Sequence, residues 1–410
     1  MTANVNARHF TSVMVQHLLR PKILAITSDR AFLRGMRLEM PLLNLKKQGL
    51  IDDYFITNHT LFDVPDEFSF DVVWLQRVCD PRLINHLATK IDNNYLYDLD
   101  DFLIGSPSYI PPADLLHKEV IQQALQNCRI LAVTSARLQK LLQAVISTPI
   151  SEKTVICPNA YEFSSEIRSP TVPKGIILTQ SDRLALTTSI EPVLTAVADF
   201  SNKHELPVYC FGTPIGDQRL GTERLISFGN VSFWHYHQIL AALPPMIGIA
   251  PLETNADQDT LDFINGKSDV KMLEYGGFGH PSVYSNAPPY MDTDLEAGIV
   301  VENTYEAWSE GLEAMYRDKW KKLAVEQENV TSRRKMDKIA TECWYEAIDR
   351  ARLPRPMTGR DIKFSSGMTG FYLNAVRHLL SSQDNDFRKQ ILGRTPPIVV
   401  KLLKKMVSGK

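Results

Sequence analysis

The chain has 410 residues, 45 Lys plus Arg against 47 Asp plus Glu, a formal net charge of −2 and 44% apolar residues. This size and apolar share predict about two or three domains with real cores, and exclude disorder, collagen-like repetition and a small disulfide scaffold. Near-neutrality argues against a general nucleic-acid coat, which needs a surplus of Lys and Arg on its binding face.

In chain order, the first 28 residues hold Arg8, Arg20 and Lys22 and no acid, a faint likeness to a transit peptide without any signal-peptide apolar block. Residues 1–21 therefore read as an ordinary leading segment. Lys22 to Thr27 (K-I-L-A-I-T) is a short apolar run, followed by the polar turn Ser28-Asp29-Arg30 and a helical pattern from Leu38 to Lys47. The pattern recurs, with strands expected at Asp71 to Leu75, Asn94 to Tyr97, Ile130 to Thr134 and Thr154 to Cys157, and helices at Pro81 to Lys90 and Leu115 to Asn127. Strands alternating with helices imply parallel pairing and a doubly wound sheet.

The polar, proline-bearing stretch Ser164 to Pro173 reads as a linker between a first domain, 22–172, and a second, 173–335. The alternation then restarts. Strands are expected at Gly175 to Leu178, Pro207 to Phe211, Ile247 to Ala250 and Pro281 to Tyr284, with helices at Ile190 to Phe200 and Val270 to Gly276. The fold class is thus α/β, two Rossmann-like domains facing a cleft, and the loops after the strands are where ligands gather. Charged helices follow from Tyr305, and residues 336–410 are expected to form a helical extension with a basic tail.

The five cysteines, Cys79, Cys128, Cys157, Cys210 and Cys343, include no C-x-x-C pair. Neither a zinc site nor a disulfide framework is suggested, and a reducing, cytoplasmic compartment fits. No window approaches the roughly 18 consecutive apolar residues of a membrane-spanning helix.

The segment richest in chemistry is Asn265 to Tyr290. It is read as opening a helix whose first residues are Lys267, Ser268 and Asp269. Free N–H groups at a helix start favour an anion, and Lys267 and Lys271 add positive charge, so a diphosphate is the natural guest. Glu274, about one turn beyond Lys271, can accept two hydroxyl hydrogen bonds from a ribose. The competing reading is that Ser268 and Asp269 merely cap the helix and Lys267 is solvated.

The order Phe263, Lys267, Ser268, Asp269, Lys271, Leu273, Glu274, Tyr275 (F-x-x-x-K-S-D-x-K-x-L-E-Y) resembles the donor-binding segment of GT-B glycosyltransferases similar to family-4 enzymes. Tyr97 to Phe102 is similar to that family's Y-D-x-D-D stretch. Thr134-Ser135-Ala136 with Cys157-Pro158-Asn159 looks like its T-S…I-P-N run, and Trp234, Tyr236 and Pro251-Leu252 loosely resemble its aromatic…A-P-L run. The resemblance implies a GT-B fold and a donor set of Lys267, Ser268, Lys271, Glu274 and Tyr275, with Glu274 on the ribose and the helix start on the diphosphate. It also implies retention of anomeric configuration. Two departures stand out: Gly266 replaces the first acid of the family's E-x(7)-E pair, and Ser28-Asp29-Arg30 and Arg34-Gly35 stand where a Gly-Gly pair is usual.

Other groups have open readings. Arg183, after the first strand of the second domain, is either a phosphate fork or a partner of Asp182. Thr213 lies in another cleft-facing loop. Asp98, Asp100 and Asp101 are candidate catalytic residues, positioning an acceptor hydroxyl or acting as general base. As D-x-D they could instead hold a divalent metal in the GT-A manner, or Asp100 or Asp101 could cap a helix. His235 and His237 would share one face of a strand, and are read as surface or base-lining histidines rather than ligands; His280 is read as structural.

The expected function is transfer of a sugar from a nucleotide-diphosphate donor to a glycan, lipid-linked or protein acceptor, with no metal and no cofactor. The alternative is a non-catalytic GT-B-like binding or chaperone subunit, which the missing acid favours. Glu274→Ala and Lys267→Ala are each expected to abolish donor use with the fold intact. From Phe387 to Lys410 there are seven basic residues and no acid, leaving −9 for residues 1–386. Val399 to Val407 interleaves the cations with apolar residues, as an interfacial helix does on anionic lipid, so residues 387–410 are expected to meet a membrane surface or a partner subunit. No nucleic-acid partner is expected.

Overall fold

The computed structural model describes residues 20–28, 32–59, 64–105, 107–108, 118–164, 166–179, 190–212, 220–229 and 231–363. Within the unit that ends at Ile362, the short apolar runs build two sheets of six parallel strands. The first has the order β2-β1-β4-β5-β6-β7, with β1 Lys22–Thr27, β2 Asp53–Asn58, β4 Val72–Gln76, β5 Leu96–Leu99, β6 Ile130–Val133 and β7 Thr154–Ile156. The second has the order β10-β9-β8-β11-β12-β13, with β8 Ile176–Leu178, β9 Val208–Phe211, β10 Leu225–Gly229, β11 Ile247–Ala250, β12 Ser282–Ser285 and β13 Ile299–Val301. Central strands such as β4, β5, β6 and β11 are buried throughout. Helices cover both faces of a parallel sheet, so its strands read as continuous apolar runs rather than alternating ones.

Five strands begin later than the sequence suggests, four of them by one residue, and β5 by two for a local reason. Helix Pro81–Ile91 starts on the Asp80 carboxylate, which accepts from the Arg82 N–H at 2.9 Å, and it ends with Asp92 and Asn93 at φ 50° and 56°. That left-handed pair turns the chain, and the Asn94 side chain donates to the Arg352 carbonyl at 3.0 Å, so β5 begins only at Leu96. The strand expected from Asp71 likewise begins at Val72 and extends to Gln76. Asp98 consequently lies inside β5, and Asp100 and Asp101 lie just past its carboxyl end.

One apolar core runs from Ile23, Ala25 and Trp74 on the first sheet through Tyr161 to Ala250 on the second sheet and to Leu273 and Tyr275 on the helix Val270–Gly277. Separate clusters fill the outer face of each sheet. After the second sheet the chain returns: Tyr161 and Lys335 form an isolated parallel bridge where outgoing and returning segments cross. Trp344 then stacks on Trp74 at 4.5 Å, and β14 (Met357–Thr358) pairs antiparallel with β3 (Ser69–Phe70). The last described turn thus packs on the first sheet.

Candidate functional site

The K-S-D segment lies past the carboxyl end of β11, between helices Gln258–Asn265 and Val270–Gly277. Lys267, Ser268 and Asp269 are not the first helical residues, as expected, but the turn before them. The reason is Gly266, which closes the preceding helix by donating its N–H to the Asp262 carbonyl. Asp269 occupies the N-cap position with no side-chain cap, because its carboxylate is held by Thr293 at 2.5 Å and Arg334 at 3.0 Å. The Asp269 side chain thus makes no cap hydrogen bond to this helix, and a helix start of this kind favours an anion.

A cavity of about 390 Å³ opens beside this turn, lined by Ser135, Arg137, Ser268, Arg333, Arg334 and Lys338 among others. Asp269, Asp292, Asp294 and Glu342 line it too, so four cations face four carboxylates. Arg334 pairs with both Asp269 and Asp294, and Arg137 reaches Asp292 at 3.8 Å. Net charge does not make the cavity attractive to an anion; directed donors must.

Arg137, on a first-domain helix, grips the turn from behind. Its guanidinium donates to the carbonyls of Asn265 at 2.6 Å, Lys267 at 2.8 Å and Pro288 at 2.8 Å. A guanidinium spreads its donors over three nitrogens, so each carbonyl takes its own, whereas an ammonium offers a single nitrogen.

Glu274 is fully buried. Its carboxylate accepts from the Tyr161 hydroxyl at 2.7 Å, the Tyr236 hydroxyl at 2.9 Å and the Lys271 ammonium at 2.7 Å. Lys271 also lies over the Tyr236 ring at 5.4 Å, and Lys267 over Phe263 at 4.6 Å. Tyr275 points into the core beneath the second sheet, where its hydroxyl meets Thr179 at 2.7 Å and donates to the Ile249 carbonyl at 3.3 Å. Arg183 and Thr213 lie outside the described residues, as do Asp29 and Arg30.

The three aspartates of the first domain are engaged by arginines. Asp98 and Arg37, both buried, form a two-pronged pair, and Arg37 also stacks over Trp344 at 4.4 Å. Burial pushes the Asp98 carboxyl up to about 6 although Arg37 pulls it down. Arg77 spans Asp100 and Asp101, donating to the latter at 2.7 Å; burial raises Asp100 as well. Among the described residues, no group of three or more His, Cys, Asp or Glu could hold a metal ion.

His235 and His237 are on helix Phe233–Ala242, not a strand. Ser232 caps that helix by accepting from the His235 N–H, so the aromatic run follows helical rather than alternating geometry. His237 sits among Phe233, Tyr161 and Phe278, where burial lowers it to about 4. His280 is buried, accepting from the Met246 N–H at 3.2 Å and facing the Leu240 carbonyl at 2.9 Å.

Sequence reasoning missed Arg37, Arg77, Arg137 and Tyr161. Arg37, a lone charge in the apolar run Met36 to Leu38, was the available signal: a buried cation needs a partner. The chain offers no cue to which carboxylate that is.

No protein-family model and no curated protein matches the chain. Among solved structures it is similar to Anabaena Alr3699/HepE in complex with UDP-glucose, at 14% identity and a TM-score of 0.54, covering 79% of this chain and 98% of that one. It is also similar to sucrose-phosphate synthase from Thermosynechococcus elongatus, at 14% identity and a TM-score of 0.54, covering 79% and 97%. With its two six-stranded parallel sheets, the chain has the two-domain GT-B architecture.

Proposed function

We propose that the protein is a glycosyltransferase that moves a sugar from a nucleotide-diphosphate donor to a glycan, lipid-linked or protein acceptor, without a metal and with retention. The observation that carries this reading is the uncapped start of helix Val270–Gly277 behind the Lys267-Ser268 turn, at the carboxyl end of the second sheet. It is supported by two solved neighbours of the same fold, one holding UDP-glucose and the other a sucrose-phosphate synthase, and by the resemblance of the K-S-D-x-K-x-L-E-Y segment to family-4 enzymes.

In this reading Lys267, Ser268 and the helix start stabilise charge building on the departing diphosphate, with Arg183 and Thr213 completing the donor set. Glu274 takes the ribose. Three protein donors already occupy its carboxylate, so a ribose hydroxyl uses its remaining lone pair or displaces Tyr161. Lys271 donates to that carboxylate from one side, and Tyr275 fixes the helix under it. Of the three aspartates, Asp101 is the most open, with its side chain 15% exposed, and we assign it the acceptor proton. Asp98 and Asp100 support it by fixing Arg37 and Arg77. The enzyme would work in the cytoplasm, with residues 387–410, outside the described residues, meeting an anionic inner membrane surface that carries the acceptor.

A thermal-shift screen against uridine, guanosine and thymidine diphosphate sugars tests the donor class, since binding to the native state raises apparent stability. Because Glu274 is buried and triply bonded, Glu274→Ala would also damage the fold, contrary to the expectation from sequence. The isosteric Glu274→Gln and the half-buried Lys267→Ala are the clean variants, and wild-type turnover in either removes the assignment. Equal vesicle binding by the chain truncated at residue 386 removes the membrane contact.

One observation favours a second reading, a donor-binding subunit without transfer: Gly266 stands where family-4 enzymes carry an acid, and Phe102 fills that space. Sugar transfer or donor hydrolysis above background excludes it.

A further inference from the structure

A continuous chain of hydrogen bonds, buried at Arg37 and part-buried at Ser268, joins the first sheet to the K-S-D turn of the second domain. Arg37 is 1% exposed and Asn159 2%. One nitrogen of the Arg37 guanidinium donates to the Cys157 carbonyl at 2.7 Å and to Asn159 Oδ1 at 3.1 Å. The amide nitrogen of Asn159 donates to Ser268 Oγ at 2.9 Å. Each direction is dictated by chemistry. A guanidinium has donors only, so the Asn159 carbonyl must face it and the amide NH₂ must face Ser268. Ser268 Oγ is thereby an acceptor toward Asn159, and its own proton is left to be donated. No described residue takes that proton, and Ser268 lines the cavity of about 390 Å³ at the uncapped helix start.

We propose that Arg37 and Asn159 are positioning residues that set the polarity of the Ser268 hydroxyl, making it an obligate donor to an anionic oxygen of a diphosphate at the start of helix Val270–Gly277. Asp98 anchors the relay by holding the other side of the guanidinium. Because the cavity's charges balance, this directed proton decides that an anion binds. The proposal rests on the donor-site reading above, yet concerns only its phosphate end. It also couples the domains: the relay is complete only while Asn159, at the end of the first domain, touches Ser268 in the second.

Asn159→Asp is the informative variant. A carboxylate there still accepts from Arg37, so the buried cation keeps its partner, but it now also accepts the Ser268 proton and reverses the hydroxyl. Calorimetric titration of the full chain with pyrophosphate, UDP and uridine reads the effect. The variant is expected to lose about tenfold or more in affinity for pyrophosphate and UDP, the size of one charge-assisted hydrogen bond, with uridine unchanged. In a Ser268→Ala background the same substitution should cost no more than about twofold, because the hydroxyl it acts through is gone. Unchanged pyrophosphate affinity in Asn159→Asp, an equal loss with uridine, or a full tenfold loss persisting without Ser268 overturns the relay. So does a wild-type chain that binds neither pyrophosphate nor UDP. The expected pattern in a chain that transfers no sugar would keep the relay and remove the glycosyltransferase reading.

Discussion

The Cβ of Phe102, one residue past the aspartate run of the first domain, occupies the space in which a side chain on Gly266 of the second would begin. A Cβ built on Gly266 would lie 2.2 Å from that of Phe102 and 3.0 Å from its backbone nitrogen. The glycine backbone, at φ −79°, is in the ordinary helical region, so only the neighbouring domain forbids a larger residue. Gly266→Ala is therefore expected to lower stability by about 1–3 kcal/mol through overpacking, read as a lower Tm. Phe102→Ala in the same chain should not relieve it, since the offending atom is the Cβ; Phe102→Gly should in part.

The buried Arg37–Asp98 pair should behave asymmetrically. Arg37→Met leaves a carboxylate in the core with no countercharge and is expected to cost about 3–5 kcal/mol in urea unfolding. Arg37→Met with Asp98→Leu removes both charges and should recover part of that loss, the Cys157 carbonyl and Asn159 Oδ1 still lacking the Arg37 donor. Equal instability of the single and double variants would contradict the pair as described.

Acid should destabilise the protein partly through His280. Burial lowers its pKa to about 3 from an ordinary 6.5, so between those values the unfolded chain binds a proton that the folded chain does not. Stability rises with pH across this window and is lost as pH falls through it, at about 1.4 kcal/mol per pH unit for this one group. The difference in unfolding free energy between the wild type and His280→Gln should narrow by that slope from pH 6.5 downward. A difference independent of pH would refute it.

Arg137→Lys is expected to cost about 2–4 kcal/mol, because one ammonium cannot reach the carbonyls of Asn265, Lys267 and Pro288 together. The loss should appear as a lower unfolding midpoint and a larger radius of gyration in solution scattering, as the turn is released from the first domain. An unchanged radius would show that the clamp does not hold the domains.

Nine of the twelve strands in the two sheets were legible because they are short apolar runs, a local property of the chain; the edge strands β2, β10 and β13 were not expected, being only partly buried and so less strictly patterned. The misplacements were also local. Asp92 and Asn93 delayed β5 by adopting left-handed geometry, and the Ser232 cap turned an aromatic run that alternates on paper into a helix. Within the K-S-D segment, residue types and spacing pointed to an anion. Whether Asp269 caps the helix depended on Arg334 and Thr293, distant in sequence.

What the sequence determined by itself is the alternation that makes two parallel α/β domains, and the composition of the turn beyond β11. Tertiary structure alone decided which charges are spent on each other. It put Arg37 against Asp98 and Arg77 against Asp100 and Asp101, seated Phe102 on Gly266, and enclosed Glu274 between Tyr161 and Tyr236. The physical reason is burial. A charge or hydroxyl removed from water must find its partner among groups that packing brings near, and those partners here lie from 23 to 113 residues away, where no period or spacing in the chain records them.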